Sequence, residues 1–302
     1  MSMQFQQQLV QAPAKVNLCL RLRGKRTDGY HLIDSLMVPI SLCDELLLDV
    51  RRPQIGTLRP NVSVAADCVQ IPVGADNLAH RAAVAFVDIT QKSIAVDIQI
   101  RKRIPVGSGL GGGSSDAAAV LLTLNRLFGY PLQPAQLADA GARIGADVPF
   151  FVSGRPARVT GVGDHIVPLT LGAPLNLVVC SDGCALSTAH VYRHARVASL
   201  SLTSDPPVSN ITDFVEGRRP FTDLLVNDLE QAAAQIHPEV LSLKARVMEE
   251  GAQAALMTGS GSAVFGVWPD PHSAAQAAAR LRIQGLWAEA VQTLDLSPAL
   301  GN

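Results

Sequence analysis

No charge of one sign predominates in this chain of 302 residues, because 25 Lys and Arg residues nearly balance 26 Asp and Glu residues. The chain therefore lacks the overall positive field that attracts nucleic acid or an anionic membrane, and an anionic ligand must be held by local groups. There is also no run of about 18 consecutive apolar residues, and residues 1–11 lack the basic and apolar segments of a secretory signal. We expect a cytoplasmic enzyme with no nucleic-acid partner and no membrane partner.

Cysteine is scarce as well. The five cysteines are odd in number and scattered, namely Cys19, Cys43, Cys68, Cys180 and Cys184. This distribution favours reduced thiols over a disulfide framework. A zinc cluster of Cys180 and Cys184 with His190 and His194 is disfavoured, because neither spacing is that of a common structural zinc site.

The length and the pattern of apolar residues predict two domains of mixed α and β structure. We predict strands at residues 16–22, 45–50, 94–100, 175–180 and 263–268, and helices at residues 120–128, 134–144, 227–236, 238–250 and 273–284. Gly129 and Gly145 are placed to end the first two helices. A segment rich in Pro and Ser at residues 201–220 predicts an exposed loop, and residues 167–174 predict the domain boundary.

The most informative stretch is PVGSGLGGGSSD at residues 105–116, which lies between a predicted strand and a predicted helix. Glycine is retained where the backbone adopts unusual dihedral angles or approaches a ligand closely. Successive N–H groups of such a loop, at the N-terminus of a helix, form a cradle for phosphate oxygens. The loop therefore predicts a phosphate-binding site.

Three other phosphate-binding motifs do not fit this loop. Gly107, Gly109 and Gly112 match G-x-G-x-x-G, but no acidic residue follows about 20 residues later to bind a ribose. A Walker A loop requires Lys after its last glycine, where this chain has Ser114. The V-A-I-K, H-R-D and D-F-G elements of protein kinases do not occur.

Four further motifs accompany the loop. APAKVN at residues 12–17 places Lys15 and Asn17 on alternate positions, so both project from one face of a strand. DGYH at residues 28–31 predicts a turn, and GADVPFF at residues 145–151 places Asp147 alone among apolar residues, where a carboxylate is either paired or functional. TGSGS at residues 258–262 is a second loop of small residues, able to lie against the first.

The glycine loop and these four motifs, taken in their order along the chain, resemble the motifs of the GHMP kinases. Within this class, they resemble those of the family that acts on 4-diphosphocytidyl-2-C-methyl-D-erythritol. The resemblance covers residues 13–267. It implies a two-domain α+β fold, with an N-terminal domain similar to ribosomal protein S5 domain 2 (residues 1–170) and a ferredoxin-like C-terminal domain (residues 171–302). It also implies ATP-dependent phosphorylation of the substrate 2-hydroxyl in the non-mevalonate isoprenoid pathway.

The resemblance implies roles for individual residues. Asp147 would be the general base and Lys15 its charge partner, types that suit the chemistry because a nearby ammonium keeps a carboxylate ionised. The substrate would be bound by Asn17, Tyr30, His31, Thr188 and Tyr192. The residues that would bind ATP are Asn77, Pro105, Val106, Gly107, Ser108, Gly109, Leu110, Gly111, Gly112, Gly113, Ser114, Ser115, Gly259, Ser260 and Gly261. Mg²⁺ is expected with ATP, its ligands unassigned apart from Ser114 or Ser115 as candidates.

Three alternatives stay open at this point. Another GHMP kinase, acting on homoserine, mevalonate or a sugar, would leave DGYH and Tyr192 without a role. A nucleotide-binding sensor that has lost catalysis conflicts with the presence of Lys15 and Asp147. RNA binding through an S5-like domain is disfavoured by the net charge of −1. The oligomeric state does not follow from the sequence.

Overall fold

The computed structural model describes residues 6–51, 61–195, 214, 218 and 220–300. Two sheets organise these residues. The strands are β1 (Gln6–Lys25), β2 (His31–Arg51), β3 (Asn61–Ala66), β4 (Ala95–Arg101), β5 (Ala157–Gly161), β6 (His165–Pro168), β7 (Asn176–Ser181), β8 (Val226–Asn227), β9 (Ala254–Met257), β10 (Val264–Trp268) and β11 (Trp287–Gln292). The helices are α1 (Leu78–Thr90), α2 (Gly112–Leu127), α3 (Pro134–Ile144), α4 (Val148–Ser153), α5 (Thr188–His194), α6 (Glu230–Ile236), α7 (Glu239–Glu249) and α8 (Pro271–Ile283).

The first sheet has seven strands, in the order β3-β4-β2-β1-β8, with β5 paired to β2 and β6 to β5. Its centre is a long antiparallel hairpin of β1 and β2, whose strands have 20 and 21 residues. The DGYH turn joins them, and the N–H of Arg26 donates to the carbonyl of Tyr30 at 2.7 Å. Helices α1–α4 cover one face of this sheet through a core that includes Phe86 and Phe150.

The second sheet is antiparallel, in the order β11-β7-β10-β9. Helices α6 and α7 lie between β7 and β9 in the chain, and α8 lies between β10 and β11. This is the β-α-β-β-α-β arrangement of a ferredoxin-like fold, and it confirms the fold expected for the C-terminal part. A core that includes Val16, Leu18, Val179 and Phe265 packs β1 and β2 against this sheet.

The structure confirms most elements expected from the sequence. Helix α3 spans Pro134–Ile144 and ends at Gly145, and Gly129, at φ 74°, follows the end of α2. The helix expected from residue 227 begins at Glu230 instead, because Val226 and Asn227 pair in parallel with β1. Most of the loop expected at residues 201–220 lies outside the described residues.

Three other expectations can be compared with the described residues. All five cysteines are free, and Cys19 and Cys180 are buried in the cores. No helix within the described ranges is long and apolar enough to span a membrane. In the same part of the chain, no group of three or more His, Cys, Asp or Glu side chains is arranged to hold a metal ion.

Candidate active site

The glycine loop connects β4 to α2 and has the backbone conformation that its composition predicts. Gly107, Gly109 and Gly111 have φ angles of 67°, 82° and 77°, in the left-handed region that favours glycine. Gly111 is the N-cap of α2, and no side chain caps this helix end. The first N–H groups of α2 and the positive end of its dipole are therefore available to an anion at the loop.

The second loop of small residues lies directly against the first. A Cβ atom on Gly109 would be 2.4 Å from the Thr258 carbonyl oxygen, and one on Gly259 would be 2.7 Å from the Gly109 carbonyl oxygen. The N–H of Ala263 donates to the Ser108 carbonyl at 3.1 Å. Only glycine fits at the two contact positions, so their composition is a consequence of this close approach.

Lys15 and Asn17 lie on one face of β1, as their spacing predicts. The Lys15 ammonium donates to Asn17 Oδ1 at 2.6 Å, and the Asn17 amide donates to Ser35 Oγ at 2.8 Å. The β1–β2 register shifts between Pro13 and Lys15 and again between Asn17 and Cys19. Such irregularities re-aim side chains next to functional sites, and here they flank both residues.

The environment of Lys15 is both buried and close to an acid. Its side chain is 3% exposed. Burial lowers the pKa of the Lys15 ammonium, while the charge of Asp147 opposes this shift. The two groups, 132 positions apart in the sequence, thus act on each other electrostatically across one cavity.

Asp147 lies at the N-cap of α4, on the rim of that cavity. Its side chain makes no capping hydrogen bond, whereas the next five residues, all of them in the helix itself, are buried. The helix is therefore fixed by its apolar residues, and the carboxylate of Asp147 is left to face the cavity.

Two cavities meet at Asp147. The first, of about 340 Å³, is lined by both glycine loops together with Lys15 and Asn17. The second, of about 680 Å³, is lined by Tyr30 and His31. The walls that the two share are formed by Ile33, Ser114, Asp147, Thr188 and Tyr192. A phosphate donor in the first cavity and an acceptor in the second would thus meet beside one carboxylate.

The walls of the second cavity contain both aromatic and basic groups. The Tyr192 and His31 rings lie 5.4 Å apart, tilted by 42°. Burial, with a smaller effect from Lys25, lowers the pKa of His31, which favours a neutral imidazole with one donor and one acceptor nitrogen. Lys25 and Arg193 also line this cavity.

Four residues predicted to bind ATP do not line either cavity. The Asn77 amide is engaged at the start of α1, where Oδ1 accepts from the Ala79 N–H at 2.8 Å and Nδ2 donates to the Pro72 carbonyl at 2.8 Å. The others are Leu110, which is in the core, Ser115, whose hydroxyl is buried, and Gly261.

Sequence reasoning missed a buried cluster beneath the glycine loop. The Lys102 ammonium lies between the carboxylates of Asp44 and Asp116, and all three side chains are at most 6% exposed. Asp44 Oδ1 also accepts the N–H groups of Arg103 and Ile104, at 2.6 and 2.9 Å. Asp116 Oδ1 has no hydrogen-bond partner among the residues that the structure describes. The cluster joins β2, the end of β4 and α2, and the only local signal was the basic run at residues 101–103.

This cluster predicts a specific pH dependence of stability. Burial raises the pKa of Asp116 to about 7, despite the opposing charge of Lys102. The folded protein therefore holds a proton that the unfolded chain loses near pH 4, so the free energy of unfolding falls as the pH rises from about 4 to about 7. In Asp116→Asn, the free energy of unfolding should no longer fall by a few kcal/mol over this pH interval. Urea unfolding at several pH values measures this difference.

Asp139→Asn is the control, because Asp139 is exposed on α3. It should leave the pH dependence of unfolding as in the unmodified protein. If Asp116→Asn has the same slope as this control, Asp116 does not carry the proton.

The comparisons with known proteins agree with this fold. The family model for the GHMP kinases N terminal domain matches residues 77–155, and the model for the GHMP kinases C terminal matches residues 208–285. The fold is also similar to a crystal structure of homoserine kinase from Cytophaga hutchinsonii, with a TM-score of 0.73 at 18% identity over 99% of this chain and 98% of that one. The protein is an ATP-dependent kinase of the GHMP class.

More similar relatives define the family within this class. The 4-diphosphocytidyl-2-C-methyl-D-erythritol kinases of Geobacter sp. (strain M21) and Symbiobacterium thermophilum are 40% and 38% identical, each over 94% of this chain and over 98% and 99% of their own lengths. A crystal structure of 4-(cytidine 5'-diphospho)-2C-methyl-D-erythritol kinase matches with a TM-score of 0.78 at 38% identity, covering 95% of this chain and 99% of that one. The chain belongs to the 4-diphosphocytidyl-2-C-methyl-D-erythritol kinase family.

Proposed function

We propose that this kinase transfers the terminal phosphoryl group of ATP to the 2-hydroxyl of 4-diphosphocytidyl-2-C-methyl-D-erythritol, in the non-mevalonate route to isoprenoid precursors. The observation that carries the proposal is the shared wall of the two cavities, where Asp147 faces both the phosphate cradle and the pocket of Tyr30, His31 and Tyr192. The names of the relatives support the same substrate.

In the proposed mechanism, Asp147 accepts the proton of the substrate hydroxyl as its oxygen attacks the terminal phosphorus of ATP. Positioned acid–base groups of this kind contribute about 10² to 10⁴ in rate. Lys15 serves as the charge partner of Asp147, and its bond to Asn17 fixes the ammonium in place. No covalent intermediate is required, so positioning and charge stabilisation supply most of the rate enhancement.

The phosphates of ATP would be bound by the glycine loop, from residue 105 to residue 115, with residues 259–261 opposite. The support is the set of N–H groups at the start of α2 and the close contact of the two loops. Asn77 would act on the adenine side through the start of α1, where the neighbouring Leu78 lines the cavity.

Mg²⁺ fits this site as an ion that arrives with ATP. Among the described residues that line the nucleotide cavity, Asp147 is the one carboxylate. Mg²⁺ usually keeps several water ligands and is bound together with substrate phosphates, so phosphate oxygens and water would hold most of it here. The ion would neutralise charge on the phosphates. Ser114, which lines the same cavity, would provide the protein contact, since Asp147 is assigned to the proton of the substrate hydroxyl.

The substrate pocket offers a complementary group for each part of a cytidine diphosphate. Tyr30 and Tyr192 present rings for stacking on the base, and the neutral imidazole of His31 matches the donors and acceptors on the cytosine edge. Lys25 and Arg193, which also line the pocket, bring positive charge that suits a diphosphate. Asn17 and Thr188 would contact the methylerythritol and diphosphate portion.

We also propose that the chain divides into its two domains near residue 170. The strand β6 of the first sheet ends at Pro168, and β7, which begins the second sheet, starts at Asn176. The two-residue strand β8 then returns to the first sheet.

Tyr192→Ala tests the cytidine pocket. Loss of one aromatic stacking partner costs about 1–3 kcal/mol, so the KM for the cytidine substrate should rise by about 5-fold to 150-fold. The KM for ATP should change by less than about twofold, because the proposed phosphate cradle is formed by other residues. Steady-state kinetics with each substrate varied in turn measures the difference.

Tyr130→Ala is the matched control, because Tyr130 is exposed and lies outside both cavities. It should leave both KM values unchanged. An equal rise of both KM values in Tyr192→Ala would contradict the stacking role and would remove the main argument for a cytidine substrate.

A further inference from the structure

The buried amide of Asn227 is bonded to the second glycine loop. Its Nδ2 donates to the carbonyls of Met257 and Gly259, at 2.8 and 2.9 Å, and its Oδ1 accepts the N–H of Leu229 at 3.0 Å. The side chain is 7% exposed. Both amide protons and one lone pair are thus used, and two of the three bonds go to the segment that contacts the phosphate cradle.

The segment that carries Asn227 is itself attached to the strand of Lys15 and Asn17. Cys19 and Leu20 of β1 pair with Val226 and Asn227 of β8. The N–H of Asp228 donates to the Leu20 carbonyl at 2.9 Å. Asn227 is therefore fixed to the first sheet through its backbone, while its side chain holds a loop of the second sheet.

Two further bonds of Asp228 and Glu230 strengthen this connection. Asp228 Oδ2 accepts the N–H of Leu22 at 2.8 Å, and Glu230 Oε2 accepts the N–H of Met257 at 3.0 Å. Lys244 donates to the other oxygen of Glu230 at 2.6 Å. Residues 227–230 thus connect β1 to the start of the second loop through the side chains of Asp228 and Glu230, in addition to that of Asn227.

The position of Gly259 makes this bridge relevant to catalysis. A Cβ atom on Gly259 would be 2.7 Å from the Gly109 carbonyl oxygen and 2.9 Å from the Lys15 ammonium. The carbonyl of the same residue is one of the two that Asn227 holds. A displacement of Gly259 would therefore alter the phosphate cradle and the surroundings of Lys15 together.

We infer that Asn227 is a positioning residue, which sets the distance between the second glycine loop and the ATP-binding loop and thereby the affinity for ATP. It acts through the carbonyls of Met257 and Gly259, without contact to the nucleotide. The inference concerns ATP, and so it does not depend on which alcohol the enzyme phosphorylates.

Asn227→Asp is the variant that tests this inference. The substitution keeps the shape and the acceptor for Leu229, but it places a carboxylate oxygen against two carbonyl oxygens. Loss of these bonds and the resulting repulsion should weaken binding of the analogue AMP-PNP with Mg²⁺ by about tenfold or more, measured by calorimetry. Amide hydrogen exchange of a peptide covering residues 257–263 should become faster.

Asn125→Asp is the matched control. Asn125 is also buried, and its amide joins the carbonyl and the N–H of Leu132 at 3.0 and 2.9 Å, in the connection between α2 and α3. The control should lose stability in the same way, while its affinity for AMP-PNP and the exchange of residues 257–263 should stay unchanged.

An unchanged affinity for AMP-PNP in folded Asn227→Asp, or an equal loss in the control, would overturn the inference. If the Asp variant does not fold, Asn227→Ser, which keeps one donor and adds no charge, serves the same purpose. It should weaken AMP-PNP binding by a smaller factor and still accelerate exchange in the loop. Wild-type values for both quantities in the Ser variant would also overturn the inference.

Discussion

Asp147→Asn should lower kcat by about 10³-fold, because an amide does not accept the proton of the attacking hydroxyl. The substitution is nearly isosteric, and the Asp147 side chain makes no hydrogen bond that caps α4, so the fold should be retained. Binding of ATP should change little, since the proposed phosphate site consists of backbone groups of the glycine loop. Pre-steady-state and steady-state kinetics, together with calorimetric titration of AMP-PNP, separate the two quantities.

Asp139→Asn, on the exposed face of α3, controls for the chemical change itself and should have normal kcat. Normal turnover in Asp147→Asn would contradict the assignment of the general base. A large loss of ATP affinity with unchanged kcat would instead make Asp147 a binding residue.

Gly109→Ala should abolish most ATP binding and destabilise the protein. The added Cβ would be 2.4 Å from the Thr258 carbonyl oxygen and 3.0 Å from the Gly261 nitrogen, both backbone atoms that do not move independently. The φ angle of 82° adds about 1–2 kcal/mol of strain for a residue with a side chain. We expect kcat/KM for ATP to fall by at least about 100-fold, with a lower Tm, because separation of the two loops removes a pre-organised anion site.

Gly129→Ala isolates the contribution of the close contact. Gly129 has a similar φ of 74°, but among the described residues no atom beyond its two chain neighbours lies within 4 Å of the added Cβ. This variant should lose only the stability that the positive φ angle costs. Its KM for ATP should be like that of the unmodified protein. If both variants lose the same stability and Gly109→Ala keeps its affinity for ATP, contact between the loops is not required for nucleotide binding.

Features encoded by local sequence could be predicted. The position of the glycine loop between a strand and a helix follows from its five glycines, since such a run next to a helix N-terminus is typical of a phosphate cradle. Pro134 and Gly145 are strong start and stop signals, and they delimit helix α3. The common face of Lys15 and Asn17 follows from the period of two in a strand.

Features that depend on distant contacts could not be predicted in the same way. The Asn17 N–H donates to Thr258 Oγ1, 241 positions away, and Lys102 meets Asp44 across 58 positions. The prediction that a helix begins at residue 227 is wrong, because pairing with β1 overrides the local helical pattern at Asn227. The register shift between Asn17 and Cys19 likewise depends on the partner strand, because neither Pro nor Gly lies beside it in the sequence.

The most direct test of the central claim is an ADP-release assay with ATP, Mg²⁺ and four separate acceptors: 4-diphosphocytidyl-2-C-methyl-D-erythritol, mevalonate, homoserine and galactose. We predict turnover with the cytidine compound alone, and we expect this turnover to be lost in Asp147→Asn. Turnover with another of the four would retain the kinase and contradict the substrate, and the absence of turnover with all four would contradict the proposed activity itself.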